Sequence, residues 1–155
     1  MDPYVAPHLQ VLEELHRQIV EMVAPLDDEQ VNRTVPGLAN TIGIVLRHVA
    51  GSERYWVGEI LGGFPAYRDR DAEFGRDRVQ KATVLTDLER TAALTQEVLS
   101  RLSREDLLAA VEVRRAGGTV RETKLFALLH ATQHLAYHAG QIRYLTRLVG
   151  AGGSA

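Results

Sequence analysis

The strongest fold signal in this chain is residues 127–145, which read ALLHATQHLAYHAGQIRYL. Apolar residues recur there every three or four positions, which is the period of an amphipathic α-helix. His130, His134 and His138 stand four residues apart in the same stretch. The stretch therefore predicts a long helix with a row of histidines along one side of its apolar face.

The angular positions of these histidines indicate which of them face the interior. At about 100° per residue, His134 lies roughly 40° from His138, and both stand at the edge of an apolar stripe that includes Leu135 and Ile142. His130 lies about 80° from His138, at the margin of that stripe. Two imidazoles one turn apart can bind one metal ion, as in zinc-binding helices. We predict that His134 and His138 are metal ligands and that His130 is a flanking group.

A third ligand is expected from another helix, and residues 41–61 offer His48. On this predicted helix His48 stands on a polar seam beside an apolar centre that includes Val49 and Trp56, while Arg47 faces the opposite way. A buried polar group costs free energy unless it is paired. We therefore predict His48 as the third ligand. The alternative is that each histidine only bonds to a neighbouring carbonyl or carboxylate group.

Apolar periodicity over the whole chain predicts four helices and hence an all-α fold. The predicted helices are residues 6–24, 41–61, 84–102 and 119–149. Residues 64–78 are expected to form a long crossover loop between the second and third helices, and loops of this length are often functional lids or else disordered. Residues 1–150 are expected to form a single domain, followed by a flexible tail at residues 151–155.

Smaller sequence signals predict details of the connections. Residues 27–37 are a polar connector, and residues 111–118 are consistent with a small hairpin because they pair β-forming residues with two glycines. Thr86 and Glu89 have capping-box spacing near the start of the third helix, and Ser103 to Asp106 predicts another capped turn.

Composition narrows the function classes. The formal net charge is −2, which argues against a nucleic-acid partner. The chain contains no cysteine, so disulfides, thiolate ligands and a cysteine nucleophile are excluded. No apolar run approaches the roughly 20 residues that span a bilayer, and no signal peptide is visible at the start. We expect a cytoplasmic protein that acts on a small molecule and has no membrane or nucleic-acid partner.

Two motifs resemble the DinB/YfiT-like metalloenzyme superfamily. The first is the histidine stretch of the last helix, from His130 to Ile142, and the second is the segment from Asn40 to Trp56 around His48. The resemblance covers nearly the whole chain and implies a four-helix bundle in up-down-down-up order, often a homodimer. It also implies a nickel or zinc ion on three histidines, which map onto His48, His134 and His138. The sequence departs from many relatives in having Ala139 in place of a basic residue and Gln133 in place of asparagine.

The family resemblance also implies a chemistry. Similar proteins include thiol-S-transferases that use bacillithiol or mycothiol, and a mycothiol-dependent maleylpyruvate isomerase. A metal on three imidazoles keeps open positions for water or substrate, as in catalytic zinc sites. The candidate residues for positioning ligands or moving protons are Tyr55, Glu59, Tyr137 and Gln141.

The sequence leaves three alternatives open. The four candidate residues could be ordinary polar groups at the rim of the fold. The protein could be a metal-dependent hydrolase instead of a transferase, or a non-catalytic, metal-stabilised dimeric stress-response module. The remaining histidines, His8 and His16, are predicted to be surface or packing residues.

Overall fold

The computed structural model describes residues 1–115 and 117–151, and this part of the chain is mostly helical. A small antiparallel sheet pairs β1, Ala110–Arg115, with β2, Gly118–Thr123. A π-helical segment, Arg54–Leu61, continues α3 without a break. The helices are α1 Ala6–Val23, α2 Asp28–Val31, α3 Ile42–Glu53, α4 Arg70–Glu73, α5 Lys81–Arg101, α6 Arg104–Leu108 and α7 Lys124–Ala151.

The predicted long helices are all present, and their ends follow local chemistry. The helix α1 has a proline in its first turn, where the missing N–H has no cost, and α3 begins after Thr41, whose side chain accepts a hydrogen bond from the N–H of Ile44. The capped turn at Ser103 is confirmed, because its side chain and that of Asp106 form a reciprocal capping box.

Four sequence predictions need correction. The third long helix begins at Lys81, so Thr86 and Glu89 lie inside it and form no capping box at its start. The predicted hairpin is confirmed but is longer than expected, and β2 occupies residues 118–123. As a result α7 begins at Lys124 instead of residue 119. The connector at residues 27–37 contains the short helix α2, which Asp27 caps.

The long helices share one hydrophobic core. Both α1 and α3 pack against α5 and α7, and each of these four helices buries its apolar face. Each large aliphatic side chain that is removed from water contributes about 1.5–3 kcal/mol. The fully buried set includes Leu12, Ile19, Leu46, Leu88, Leu99, Leu128, Leu135 and Ile142.

No helix within the described ranges has both the length and the apolarity that a membrane span requires. The predicted tail at residues 151–155 falls outside the described residues, apart from Ala151 in the last helix.

Candidate metal centre

Three histidine side chains from two helices meet at one point. His48 comes from α3, and His134 and His138 come from α7. One ring nitrogen from each lies within 4.8 Å of the others, and the Nε2 atoms of His48 and His134 are 3.0 Å apart. His48 is buried and the other two are half-buried. The structure thus brings together the three residues that the sequence selected, and their role as metal ligands stays a prediction.

Local helix geometry explains this meeting. Leu135 and Ile142 are buried on α7, so the histidines beside them are turned toward α3. On α3 the buried Val45 and Val49 have the same effect on His48. Because α3 and α7 pack against each other, the two histidine-bearing edges face one another.

The electrostatics of the cluster favour the neutral imidazole at His134 and at His138. Burial, together with the nearby His138, His48 and other cationic groups, lowers the pKa of His134 to about 3. Burial also lowers the pKa of His138, although its hydrogen bond with Gln141 acts in the opposite direction. Metal binding requires neutral imidazole. Three converging nitrogen donors fit a divalent transition metal.

A buried carboxylate that the sequence analysis missed orients His48. The Nδ1 atom of His48 lies 2.9 Å from Oε2 of Glu73, which is also buried. When Nδ1–H donates to the carboxylate, Nε2 keeps its lone pair and can bind a metal. Gly51 makes the approach possible, since a Cβ at that position would overlap the Glu73 carboxylate.

Glu73 is itself held by Arg68. The Nε and Nη2 atoms of Arg68 donate to the two carboxylate oxygens over 2.7 and 2.9 Å. Burial acts to raise the pKa of Glu73, but the hydrogen bonds from His48 and Arg68 outweigh it and lower the pKa to about 2. Glu73 therefore stays ionised and presents a fixed negative charge to His48.

Both Glu73 and Arg68 belong to the predicted crossover loop, which is docked on α3. Asp69 caps the short helix α4 by accepting from the N–H of Ala72, and Arg47 donates to the backbone carbonyl of Glu73 over 2.9 Å. The Phe74 ring lies 4.5 Å from the His48 ring, measured between centroids. The loop thus closes one side of the histidine cluster.

Two of the four candidate polar residues on the helices contact the histidine cluster. Gln141 lies with Oε1 2.8 Å from Nδ1 of His138, so it accepts from Nδ1–H and leaves Nε2 free, as Glu73 does for His48. The Tyr137 ring packs edge-on against His138 at 5.0 Å between centroids, while 65% of the residue stays exposed.

The other two candidates, Tyr55 and Glu59, support the hairpin and a turn. The Tyr55 hydroxyl accepts from the N–H of Arg114 over 3.0 Å, which fastens β1 to the π-helical segment. Glu59 accepts from the N–H of Ala66 over 3.0 Å and lies 3.4 Å from the Arg114 guanidinium. Neither side chain belongs to the histidine cluster.

The other histidines have distinct surroundings. His130 packs against Trp56 with 4.2 Å between ring centroids and the ring planes tilted by 46°. Burial, Arg115 and Arg68 lower the pKa of His130. It lies beside the cluster, as predicted. His16 was predicted to be a surface or packing residue, and it is a packing residue. It is buried in the core, with Nε2 2.8 Å from Oε2 of Glu53.

A cavity of about 660 Å³ opens beside the cluster. His48 and His134 form part of its wall, so a molecule in the cavity would reach the point where the histidine nitrogens converge. The other wall residues are Ser52, Tyr55, Trp56, Arg68, Arg70, Arg114, Arg115 and His130.

Comparison with known proteins agrees with the architecture. The sequence profile of the DinB superfamily matches residues 12–142. A crystal structure of a conserved protein from Enterococcus faecalis is similar, with a TM-score of 0.80 and 17% sequence identity. The similarity covers 97% of this chain and 99% of the other, and at this identity it concerns the fold alone. No curated protein matches the chain.

Proposed function

Because this chain belongs to the DinB superfamily, we propose that it is a metal-dependent enzyme with a divalent transition metal bound by His48, His134 and His138. The observation that carries the proposal is the convergence of three ring nitrogens within 4.8 Å of one another, beside a cavity that could hold a small molecule. When bound, such a metal supplies Lewis-acid activation at the positions that the three histidines leave open.

The reaction class that we propose is thiol-S-transfer with a low-molecular-weight thiol such as mycothiol or bacillithiol. The family resemblance supports this class, and the chain has no cysteine, so the sulfur must come from a small molecule. None of the described residues that line the cavity is an aspartate or glutamate that could serve as a general base for hydrolysis. His130 also lines the cavity and could accept a proton from either a thiol or a water, so the hydrolase stays the alternative.

The chain's own residues would orient the ligands and bound the site. Glu73 and Gln141 each accept from a histidine Nδ1–H, which directs the opposite nitrogen of His48 and His138 toward the common point. The Phe74 ring covers His48 and excludes water from that side. Tyr55 fastens the hairpin strand whose Arg114 and Arg115 form part of the cavity wall.

The native metal in this proposal is nickel or zinc, since both accept imidazole ligands. We also propose that the enzyme is located in the cytoplasm, because small thiols are kept reduced there.

We further propose that the four long helical segments form a bundle in up-down-down-up order. Two hydrogen bonds between helix ends support it. Lys124, at the start of α7, donates to the carbonyl of Leu61 at the end of the π-helical segment, over 2.9 Å. Lys81, at the start of α5, donates to the carbonyl of Ala24 after the end of α1, over 3.0 Å. Both contacts are those of antiparallel neighbours.

A homodimer is the proposed assembly. Leu129, Tyr137 and Tyr144 are at least half exposed and lie seven or eight residues apart on α7, so they share one face of the helix. Exposed aromatic residues on one face are typical of interaction surfaces. Light scattering of the purified protein at several concentrations would test this assembly.

Metal binding can be tested by elemental analysis of untagged protein and of His48→Ala, His134→Ala and His138→Ala. We expect about one metal per chain in the wild type and strong loss in each variant. His130→Ala is the matched control, because it removes a histidine from the same helix outside the cluster, and it should keep the metal. Full metal content in all three cluster variants would refute the site.

Catalysis needs a separate measurement. The metal-loaded protein should consume a small thiol in the presence of an electrophile, and the metal-free protein and His134→Ala should not. Equal thiol consumption by wild type and His134→Ala would support a non-catalytic metal-stabilised module instead.

A further inference from the structure

The wall of the cavity beside the histidine cluster is rich in arginine. Four arginines contribute to its wall, and within the described part of the chain no acidic side chain joins them there. The formal net charge of the whole chain is −2, so this positive charge is a local concentration. A concave site with one sign of charge raises the local concentration of ligands with the opposite sign.

Two of these arginines have only loose ion pairs. Arg68 is held tightly by the buried Glu73, through hydrogen bonds of 2.7 and 2.9 Å. In contrast, Arg114 lies 3.4 Å from Glu59, and Arg115 lies 3.5 Å from Glu122. Charge-assisted hydrogen bonds are normally about 2.7–2.9 Å long. The guanidinium groups of Arg114 and Arg115 can therefore exchange these contacts for stronger ones with a ligand.

Both of these arginines are carried on a supported strand. The side chains of Arg114 and Arg115 are 78% and 40% exposed. Their strand β1 is anchored by the buried Val113 and by the hydrogen bond between the Arg114 N–H and Tyr55. The guanidinium groups are thus accessible while their backbone is fixed, which lowers the entropic cost of binding.

Another part of the wall is aromatic. The Trp56 ring is buried and packs against His130 at 4.2 Å between centroids, with the two ring planes tilted by 46°. A flat apolar group could pack against these rings while a charged group reaches the arginines. Guanidinium groups bind carboxylate and phosphate by the same forked geometry.

We propose that the cavity binds a small anionic molecule, with its carboxylate or phosphate group on Arg114 and Arg115 and its apolar part against Trp56 and His130. This inference rests on the proposed function and deepens it, because it names the charge class of the molecule that is presented to His48 and His134.

Intrinsic fluorescence provides a direct test, since Trp56 is the only tryptophan of the chain. Metal-free and zinc-loaded protein would be titrated with isophthalate, phenyl phosphate and the neutral isophthalamide. We expect either or both anions to change the Trp56 emission of metal-free protein in the millimolar range, and isophthalamide to have little effect. Affinity should also fall as salt is added.

Two variants identify the anion anchor. The double variant Arg114→Gln, Arg115→Gln should weaken binding of the anion about tenfold or more. Arg121→Gln is the control, because it removes one arginine charge from an exposed position of β2 that does not line the cavity, and it should bind nearly as wild type. Circular dichroism would verify that all variants are folded.

Three results would overturn the inference: no response to either anion, equal binding of isophthalamide, or the same loss of affinity in Arg121→Gln as in the double variant. Binding that requires zinc and is unaffected by the double variant would also overturn it, since the metal would then be the anchor. Because the titration works on metal-free protein, its outcome is independent of whether the three histidines bind a metal.

Discussion

Two buried histidine–carboxylate pairs in this protein have the same chemistry and different surroundings. His48 lies 2.9 Å from Glu73, and His16 lies 2.8 Å from Glu53. In the core pair, Glu53 also accepts from the buried Thr95 over 2.6 Å, so protein groups inside the core satisfy it. In the pair at the cavity, the second nitrogen of His48 points to His134, 3.0 Å away.

The contrast shows that a buried histidine–glutamate pair does not by itself indicate a functional site. What distinguishes His48 is that its free nitrogen meets other nitrogen donors beside a cavity. The core pair is expected to matter for stability, and the cavity pair for metal affinity. Three predictions test this division.

The largest expected effect is on stability at the core pair. Glu53→Ala should lower the free energy of unfolding by about 3 kcal/mol, because it leaves His16 and Thr95 buried without their shared partner. Urea denaturation of the metal-free protein would measure this change. The variant should still bind about one metal per chain, and loss of the metal in folded Glu53→Ala protein would contradict the division.

The second prediction concerns the cavity pair, where the expected free-energy change is smaller and affects metal binding instead of unfolding. Glu73→Gln should weaken metal affinity about 10- to 100-fold, the usual cost of removing a carboxylate behind a histidine ligand. Competition with a chromogenic chelator would measure it. Glu59→Gln is the control, since it neutralises a carboxylate outside the cluster. Unchanged affinity in Glu73→Gln would show that the carboxylate only secures the loop.

The third prediction is a pH dependence of stability, which over a single pH unit is smaller than the loss expected for Glu53→Ala. Burial and neighbouring groups hold the pKa of His134 near 3 in the folded protein, against an ordinary value of 6.5. Between these values the unfolded chain takes up a proton that the folded chain excludes. The stability of metal-free protein should therefore fall as pH decreases below 6.5, by at most about 1.4 kcal/mol per pH unit for this group.

Denaturation at several pH values would check this dependence. His134→Gln should show a shallower decline than the wild type, because the titrating group is gone. An identical slope in both proteins would mean that other groups control the acid sensitivity.

Much of the helical architecture was predictable because helix periodicity is local. The positions of Leu135 and Ile142 relative to His134 follow from residue spacing, whichever helix packs against them. The segment after Glu53 was less predictable. Its π-helical turn alters the direction of Tyr55 and Glu59, and such turns have no simple sequence signature.

The role of Glu73 could not be predicted from the sequence, and the reason is physical. Asp69, Asp71 and Glu73 are equivalent as acidic residues in a charged loop, and only the docking of α4 selects Glu73 for burial. Gly51 is a weak sequence clue, since a glycine inside a helix can mark a close approach, but it does not say which residue approaches.

The sequence by itself determined which edge of its helix each of His48, His134 and His138 occupies, because those positions depend on spacing within single helices. The packing of α3 against α7 decided that the two edges meet. The tertiary structure alone decided that Glu73 supports His48, that His16 is internal, and that Arg114 and Arg115 face the cavity. Those relations join segments far apart in the chain, and they depend on how the loop and the hairpin pack against the helices. No local pattern in the sequence encodes that packing.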